Sequence, residues 1–309
     1  MCISEWGVPV KLGPVENFVS DYSISHPGPS DDSAAVWKAA RSRGMTRVAK
    51  VQINNSWELA ALPYIPVPFL VHEHLENVRK HGVEGLMLSW TLGGYPGGNL
   101  ELLRHTPGEL AERDFPGAEE LVLRVWKMFS DAFREFPFSI AVVYFSPMTS
   151  GPAAPFFLKK TNEAATMVGF PWDDLSAWRS CWPEALFEER FEKMHALWQQ
   201  GLSLWRQGAP QTPPARELTV IAEAAGCHIN STLNHIRFVR RRDRNAPAEE
   251  LIAIVDDEIA CVKRLLPLVC RDSRLGFEAS NHYFYTPLAL AEKIVNCEEL
   301  KLAFRRERV

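Results

Sequence analysis

The sequence predicts an α/β domain followed by an all-α domain, the first being about half of a TIM-type β/α barrel. Three observations predict it. Strand-like runs alternate with amphipathic helical stretches through residues 1–150, which calls for parallel strands joined by helical crossovers. Three of those runs, Ile3-Ser4-Glu5-Trp6-Gly7, Val51-Gln52-Ile53-Asn54-Asn55-Ser56-Trp57-Glu58 and Leu86-Met87-Leu88-Ser89-Trp90-Thr91-Leu92-Gly93-Gly94-Tyr95, lead into acids, amides and indoles, as strand ends do at the open face of a barrel. From Glu184 onward helical periodicity takes over, so 184–309 reads as a helical domain and the Pro-, Gly- and aromatic-rich 151–183 as an irregular connection.

In chain order, residues 1–8 read as a strand, followed by a long loop ending in Ser30 and the acids that can cap a helix over 31–43. Met45 to Ile53 is a second strand. The spacing of Phe69, Leu70, His74, Leu75 and Val78 predicts a helix over 66–81, before a third strand over 83–90. A helix over 118–134 precedes Phe138-Ser139-Ile140-Ala141-Val142-Val143-Tyr144-Phe145, read as a fourth strand. Asp173 to Ser180 holds a short helix, and four longer ones occupy 184–207, 215–243, 247–270 and 287–304, separated by Pro210, Pro213 and Pro214 and by Asn245 to Pro247. Four β/α units make only half of an eight-stranded barrel, and an open half exposes two sheet edges and an inner face. Something must cover them: an N-terminal half beyond this chain, as the start at Met1-Cys2-Ile3 inside a strand favours, or a second copy; a small doubly wound sheet is the alternative.

The chain has 309 residues, 46% of them apolar, enough for a substantial core. A net charge of −4 and a pI near 6.2 offer no broad attraction to nucleic acid or to an anionic membrane, so a neutral substrate is expected. The six cysteines form no Cys-x-x-Cys pair, which argues against zinc ribbons and disulfide scaffolds. With no signal-peptide pattern and no apolar run of about 20 residues, a cytoplasmic location is expected. His72-Glu73-His74 looks metal-binding, but residues two apart on a helix diverge, so no metal is expected there; the sequence has no phosphate-binding glycine loop, and no cofactor is expected. The run Arg240-Arg241-Arg242-Asp243-Arg244 reads as a solvated basic face.

Ser4-Glu5-Trp6-Gly7, Gly28-Pro29-Ser30, Ala49-Lys50-Val51-Gln52, Trp57-Glu58, Pro63-Tyr64, Gly85 to Pro96, Met167-Val168-Gly169-Phe170-Pro171 and Asp272 to Tyr283 occur in this order. Together they resemble the C-terminal part of large bacterial proteins similar to TIM-barrel glycoside hydrolases of the broad hexosaminidase-like type. The resemblance implies a carbohydrate substrate. It also implies that the paired acids of such barrels, which commonly follow the fourth strand, lie in the other half.

Within this chain the candidate catalytic groups are Glu5 and Glu58, each after a predicted strand and beside a Trp whose apolar face can raise a carboxyl pKa. Either can equally make a salt bridge or cap a loop. Gln52, Asn54 and Asn55 offer donors and acceptors to sugar hydroxyl or acetamido groups, or close a turn. Trp6, Trp57, Trp90 and Tyr95 are candidate stacking plates; Trp172 also qualifies, although Asp173-Asp174 beside it reads as a helix start. Arg274, Glu278, Asn281 and His282 form either a substrate rim or a hydrogen-bond network fastening the two domains. The expected activity is acid/base hydrolysis of a neutral or N-acetylated pyranoside; a non-catalytic glycan-binding or assembly protein is the alternative.

Overall fold

The computed structural model describes residues 1–88, 97–161, 171–278 and 285–306. Five strands are present among them: β1 (Cys2–Ile3), β2 (Pro9–Leu12), β3 (Val15–Phe18), β4 (Val48–Val51) and β5 (Gly85–Leu88). β1, β4 and β5 form a parallel sheet in that order, with Cys2 opposite Ala49 and Val48 opposite Gly85. Helix α1 (Asp31–Ser42) carries the chain from β1 to β4, and α2 (Pro68–Lys80) from β4 to β5. These are the crossovers that parallel neighbours require. Ser30 caps α1 by accepting from Ser33 N at 3.1 Å, with Asp31 and Asp32 in the favourable first turn.

After β5 come α3 (Pro107–Asp114), α4 (Glu119–Phe133), α5 (Ile140–Phe145) and α6 (Leu175–Trp178), then the long helices α7 (Glu184–Gly208), α8 (Pro213–Asp243), α9 (Ala248–Arg271) and α10 (Pro287–Arg306). Thr106 and Glu109 form a reciprocal capping box at the start of α3. Asp174 caps α6 by accepting from Ser176 N at 3.0 Å, which is the helix-start reading of the Asp173-Asp174 pair.

The predicted fourth strand is a helix. Ser139 accepts from Val142 N at 3.2 Å and starts α5, whose Val142 and Val143 are buried. A short apolar run has no period that separates strand from helix, and here the cap and its packing decide. The parallel sheet therefore has three strands, and no TIM barrel is present among the described residues. On β5, Leu86 and Met87 point to opposite faces and both are exposed, so neither face of this strand is fully covered.

The long loop expected after residue 8 instead contains a hairpin, β2 against β3, turning at Gly13-Pro14 and burying Val10 and Leu12. The apolar alternation that marks it is only two residues long. The run through Glu58 also leaves the strand early, since β4 stops at Val51 and Trp57–Leu59 is one turn of 3-10 helix.

One hydrophobic cluster runs from Val10 in the hairpin to Leu290 in α10, crossing both predicted domain boundaries. α4 and α7 are joined by the stacked rings of Phe129 and Trp198, 4.3 Å apart. A smaller cluster gathers Phe156, Phe238, Val255 and Phe304 among α8, α9 and α10. The arginine run at the end of α8 is not a free basic face. Arg240 and Arg241 bind Glu188 on α7, while Arg242 is buried and donates to Phe157 O at 2.9 Å, because α8 packs there rather than facing water.

Candidate active site

The polar residues that follow β1 and β4 are folded inward. Ser4, Glu5, Gln52, Asn54 and Asn55 are all buried at the C-terminal ends of these two parallel strands, where open α/β sheets bind ligands. Ser4 N donates to Lys50 O at 3.0 Å, extending the strand pairing to the residue before Glu5. Ser30 N donates to Ser4 O at 2.9 Å and draws the 21–30 loop across this end. Gly28 lies where a Cβ would stand 2.8 Å from Ser4 O and 2.9 Å from His74 Nε2, so no larger residue fits without displacement.

Glu5 has no solvent exposure. Its Oε1 accepts from Gln52 N at 3.3 Å, whereas Oε2 has no hydrogen-bond partner. Burial pushes its pKa up to about 8, against backbone hydrogen bonds that favour the anion. Glu5 is thus mostly protonated at neutral pH, and the unpartnered Oε2 is the oxygen left to hold the proton. His74, on the buried face of α2, puts Nε2 at 2.7 Å from Ser4 Oγ and 3.9 Å from Glu5 Oε2. Burial lowers its pKa to about 3, so the imidazole is neutral.

Glu58 occupies a different environment. It accepts from Ser23 Oγ at 2.8 Å, Ser56 Oγ at 2.6 Å, Ile24 N at 2.7 Å and Ser25 N at 3.3 Å, and from the Ser25 hydroxyl. The 3-10 turn holds Glu58 beneath the 21–30 loop, and the carboxylate gathers that loop's donors. Nearby, Lys50 Nζ donates to Tyr22 Oη at 2.7 Å, and Tyr144 donates to Asp21.

No family model and no curated protein matches the chain. Among solved structures it is similar to a GH138 enzyme targeting pectin rhamnogalacturonan II. The TM-score is 0.44 at 9% sequence identity, over 89% of this chain and 50% of that one. The chain therefore spans about half the length of that enzyme. A superposition this loose carries no argument about chemistry.

The remaining predicted residues divide by environment. Asn54 pins the 97–100 segment, its Oδ1 accepting from Leu100 N at 3.2 Å and its Nδ2 donating to Gly97 O at 3.5 Å. Asn55 donates to Leu62 O at 2.9 Å and to Ala60 O at 3.4 Å, bonds that close its own loop. Trp57 is buried with its ring 5.8 Å from that of Tyr144, while Trp6, next to Glu5, is 49% exposed. Arg274 forks onto Asp272 at 2.7 Å and reaches Glu217 at 2.8 Å, fastening the 272–278 turn to α8. Glu278 is buried. Trp90, Tyr95, Asn281 and His282 lie outside the described residues.

Sequence reasoning did not bring His74 or Ser23 and Ser25 into the site. The available signal was a His within the apolar stripe of α2, between Leu70 and Val78, where only a partnered imidazole is accommodated.

Proposed function

We propose that the chain is a glycoside-hydrolase-like protein acting on a neutral or N-acetylated pyranoside, with Glu5 as the general acid. The observation that carries this reading is the Glu5 carboxyl: buried at a strand end, raised to about pKa 8, and with an unpartnered oxygen. Glycoside cleavage requires a carboxylic acid that is still protonated at working pH to donate to the leaving oxygen, and this environment supplies one. Gln52, whose backbone amide N–H reaches Glu5, and the exposed Trp6 next to Glu5 in sequence supply polar and ring groups that suit a sugar. Because Glu5 is fully covered, the reaction requires the cover over the strand end to open on ligand binding. In this reading Glu58 is a positioning residue that shapes the 21–30 loop, and a covering β/α partner, from further polypeptide or a second copy, packs beside β5, the last strand of the parallel sheet among the described residues.

The test is a panel of aryl glycosides, N-acetylhexosaminides included, with Glu5→Gln and Glu58→Gln as comparisons. Turnover that Glu5→Gln abolishes, with the pH-rate profile falling above about 8, supports the reading. Turnover unaffected by Glu5→Gln rejects it.

The five donors on Glu58 favour a second reading. Hydrolysis normally needs a second carboxylate, and one so fully occupied is poorly placed to act as nucleophile or base. A non-catalytic glycan-binding protein would bind glycosides and turn over none of the panel.

A further inference from the structure

A cavity of about 430 Å³ opens between the strand-end loops and the helices. Tyr64, Phe115 and Trp126 contribute aromatic surface to it, and Leu110 and Leu218 further apolar walls. Its near wall is Gly97 to Asn99, tied to the chain just beyond β4 through Asn54 and through Asn99 Nδ2, which donates to Ile53 O at 3.0 Å and Ile65 O at 2.8 Å. Gly98 has φ +58°, and a Cβ there would stand 2.7 Å from Tyr64 Cγ, so the wall closes directly onto the tyrosine ring. The cavity therefore lies on the strand-end side of the sheet, a short distance along the chain from Gln52 and its contact with Glu5.

The polar groups at the cavity are arranged as two ion-pair clusters. Arg113 binds Glu101 at 2.9 Å and Asp114 at 2.7 Å, and Glu217 binds Arg274 at 2.8 Å, which is shared with Asp272. Three carboxylates, Glu101, Asp114 and Glu217, line the cavity with one guanidinium, Arg113, leaving the surroundings electronegative and opposed to an anionic ligand. Each carboxylate retains lone pairs beyond those used by its arginine, and these can accept from hydroxyl groups. Aromatic faces, apolar walls and converging acceptors within a few hundred cubic ångströms match one or two pyranose rings.

We infer that this cavity is a binding subsite for an uncharged saccharide unit, its apolar ring face against Tyr64 and Trp126 and its hydroxyls donating to Glu101 and Glu217. The choice of ligand class rests on the glycan reading above, whereas the cavity and its charge do not. A uronic acid is repelled by the carboxylate excess. The subsite is separate from Glu5, so binding and turnover are measurable apart.

Saturation-transfer NMR on the full chain tests this with the methyl glycosides of glucose, galactose and N-acetylglucosamine, and methyl glucuronide. At least one neutral glycoside is expected to bind and the glucuronide not. Glu101→Ala/Glu217→Ala, both at half-exposed side chains, should weaken that binding by about fivefold or more, the loss of roughly one net hydrogen bond, with an unchanged melting profile confirming the fold. Absence of binding by all neutral glycosides to folded protein overturns the inference. So does undiminished binding by the double variant, or a preference for the glucuronide. Binding retained while the aryl glycoside panel shows no turnover would reject the Glu5 reading alone; turnover lost in Glu5→Gln but no binding change in the double variant would reject the subsite alone.

Discussion

Glu5 Oε2 lies 3.9 Å from His74 Nε2, and at neutral pH this contact joins two uncharged groups rather than an ion pair. Burial moves the two pKa values in opposite directions, to about 8 for Glu5 and about 3 for His74, so each group favours its neutral form across most of that interval. The separation is also too long for a hydrogen bond. Ser4 Oγ, at 2.7 Å from His74 Nε2, is the partner that fixes the imidazole.

The raised carboxyl predicts a specific pH dependence of stability. Folded Glu5 keeps its proton to about pH 8, whereas the unfolded chain releases it near 4.5. Its stabilising contribution is thus full below 4.5 and lost as pH rises through 8. Urea unfolding of wild type against Glu5→Gln should show the wild type losing ground by a few kcal/mol, roughly 1.4 kcal/mol per pH unit within that window. The His74 contribution has the opposite sign, falling as pH drops from 6.5 toward 3, and is common to both proteins. Parallel stability curves across this range would contradict the burial of an unpartnered carboxyl.

Glu58 should behave as a structural anchor. Removing it in Glu58→Ala leaves the buried hydroxyls of Ser23, Ser25 and Ser56 and the Ile24 amide short of an acceptor, at about 1–3 kcal/mol for each group left unsatisfied. Glu58→Gln retains one oxygen and should cost less. Hydrogen exchange at the amides of 23–25 reads the effect locally, and equal protection in all three proteins would show that the carboxylate does not hold the loop.

Lys293 and Glu258 form a fully buried pair at 3.4 Å between α10 and α9, with Ser231 Oγ at 2.6 Å and Asn234 Nδ2 at 2.9 Å also donating to Glu258. Lys293→Met strands a buried carboxylate and should destabilise by about 3–5 kcal/mol. Adding Glu258→Gln should restore part of that loss, since no charge is then left alone. Thermal unfolding of the two variants and wild type gives the comparison, and no recovery in the double variant would mean packing dominates.

Thr106→Ala removes the capping box of α3 and should cost about 1 kcal/mol in chemical denaturation. Thr106→Ser should be nearly neutral. An equal loss in both would point to the methyl group rather than the hydroxyl.

Much of the helical architecture is legible in the sequence because its signals are local. Ser30 before Asp31-Asp32, Pro213 at the start of α8 and the Asn245-Ala246-Pro247 break act within a turn of their own position, and the predicted helices follow them closely. The 140–145 run lacks such clarity: its apolar residues fit strand or helix, and Ser139 as a cap is the one small local clue to the helix. The hairpin at Pro9–Phe18 is hidden for the opposite reason, an alternation too short to stand out.

At the site, residue type and strand-end placement of Glu5, Gln52 and Asn54 are readable along the chain, because a strand followed by polar residues is a local pattern, whereas Glu58 sits in a 3-10 turn beyond it. Their different environments are not. Whether a carboxyl is left with an empty oxygen, as in Glu5, or surrounded by donors, as in Glu58, depends on the 21–30 loop and α2 arriving from elsewhere. Periodicity, caps and breakers are properties of neighbours in sequence, whereas burial and hydrogen-bond saturation belong to segments tens of residues apart, and those arise only from tertiary packing.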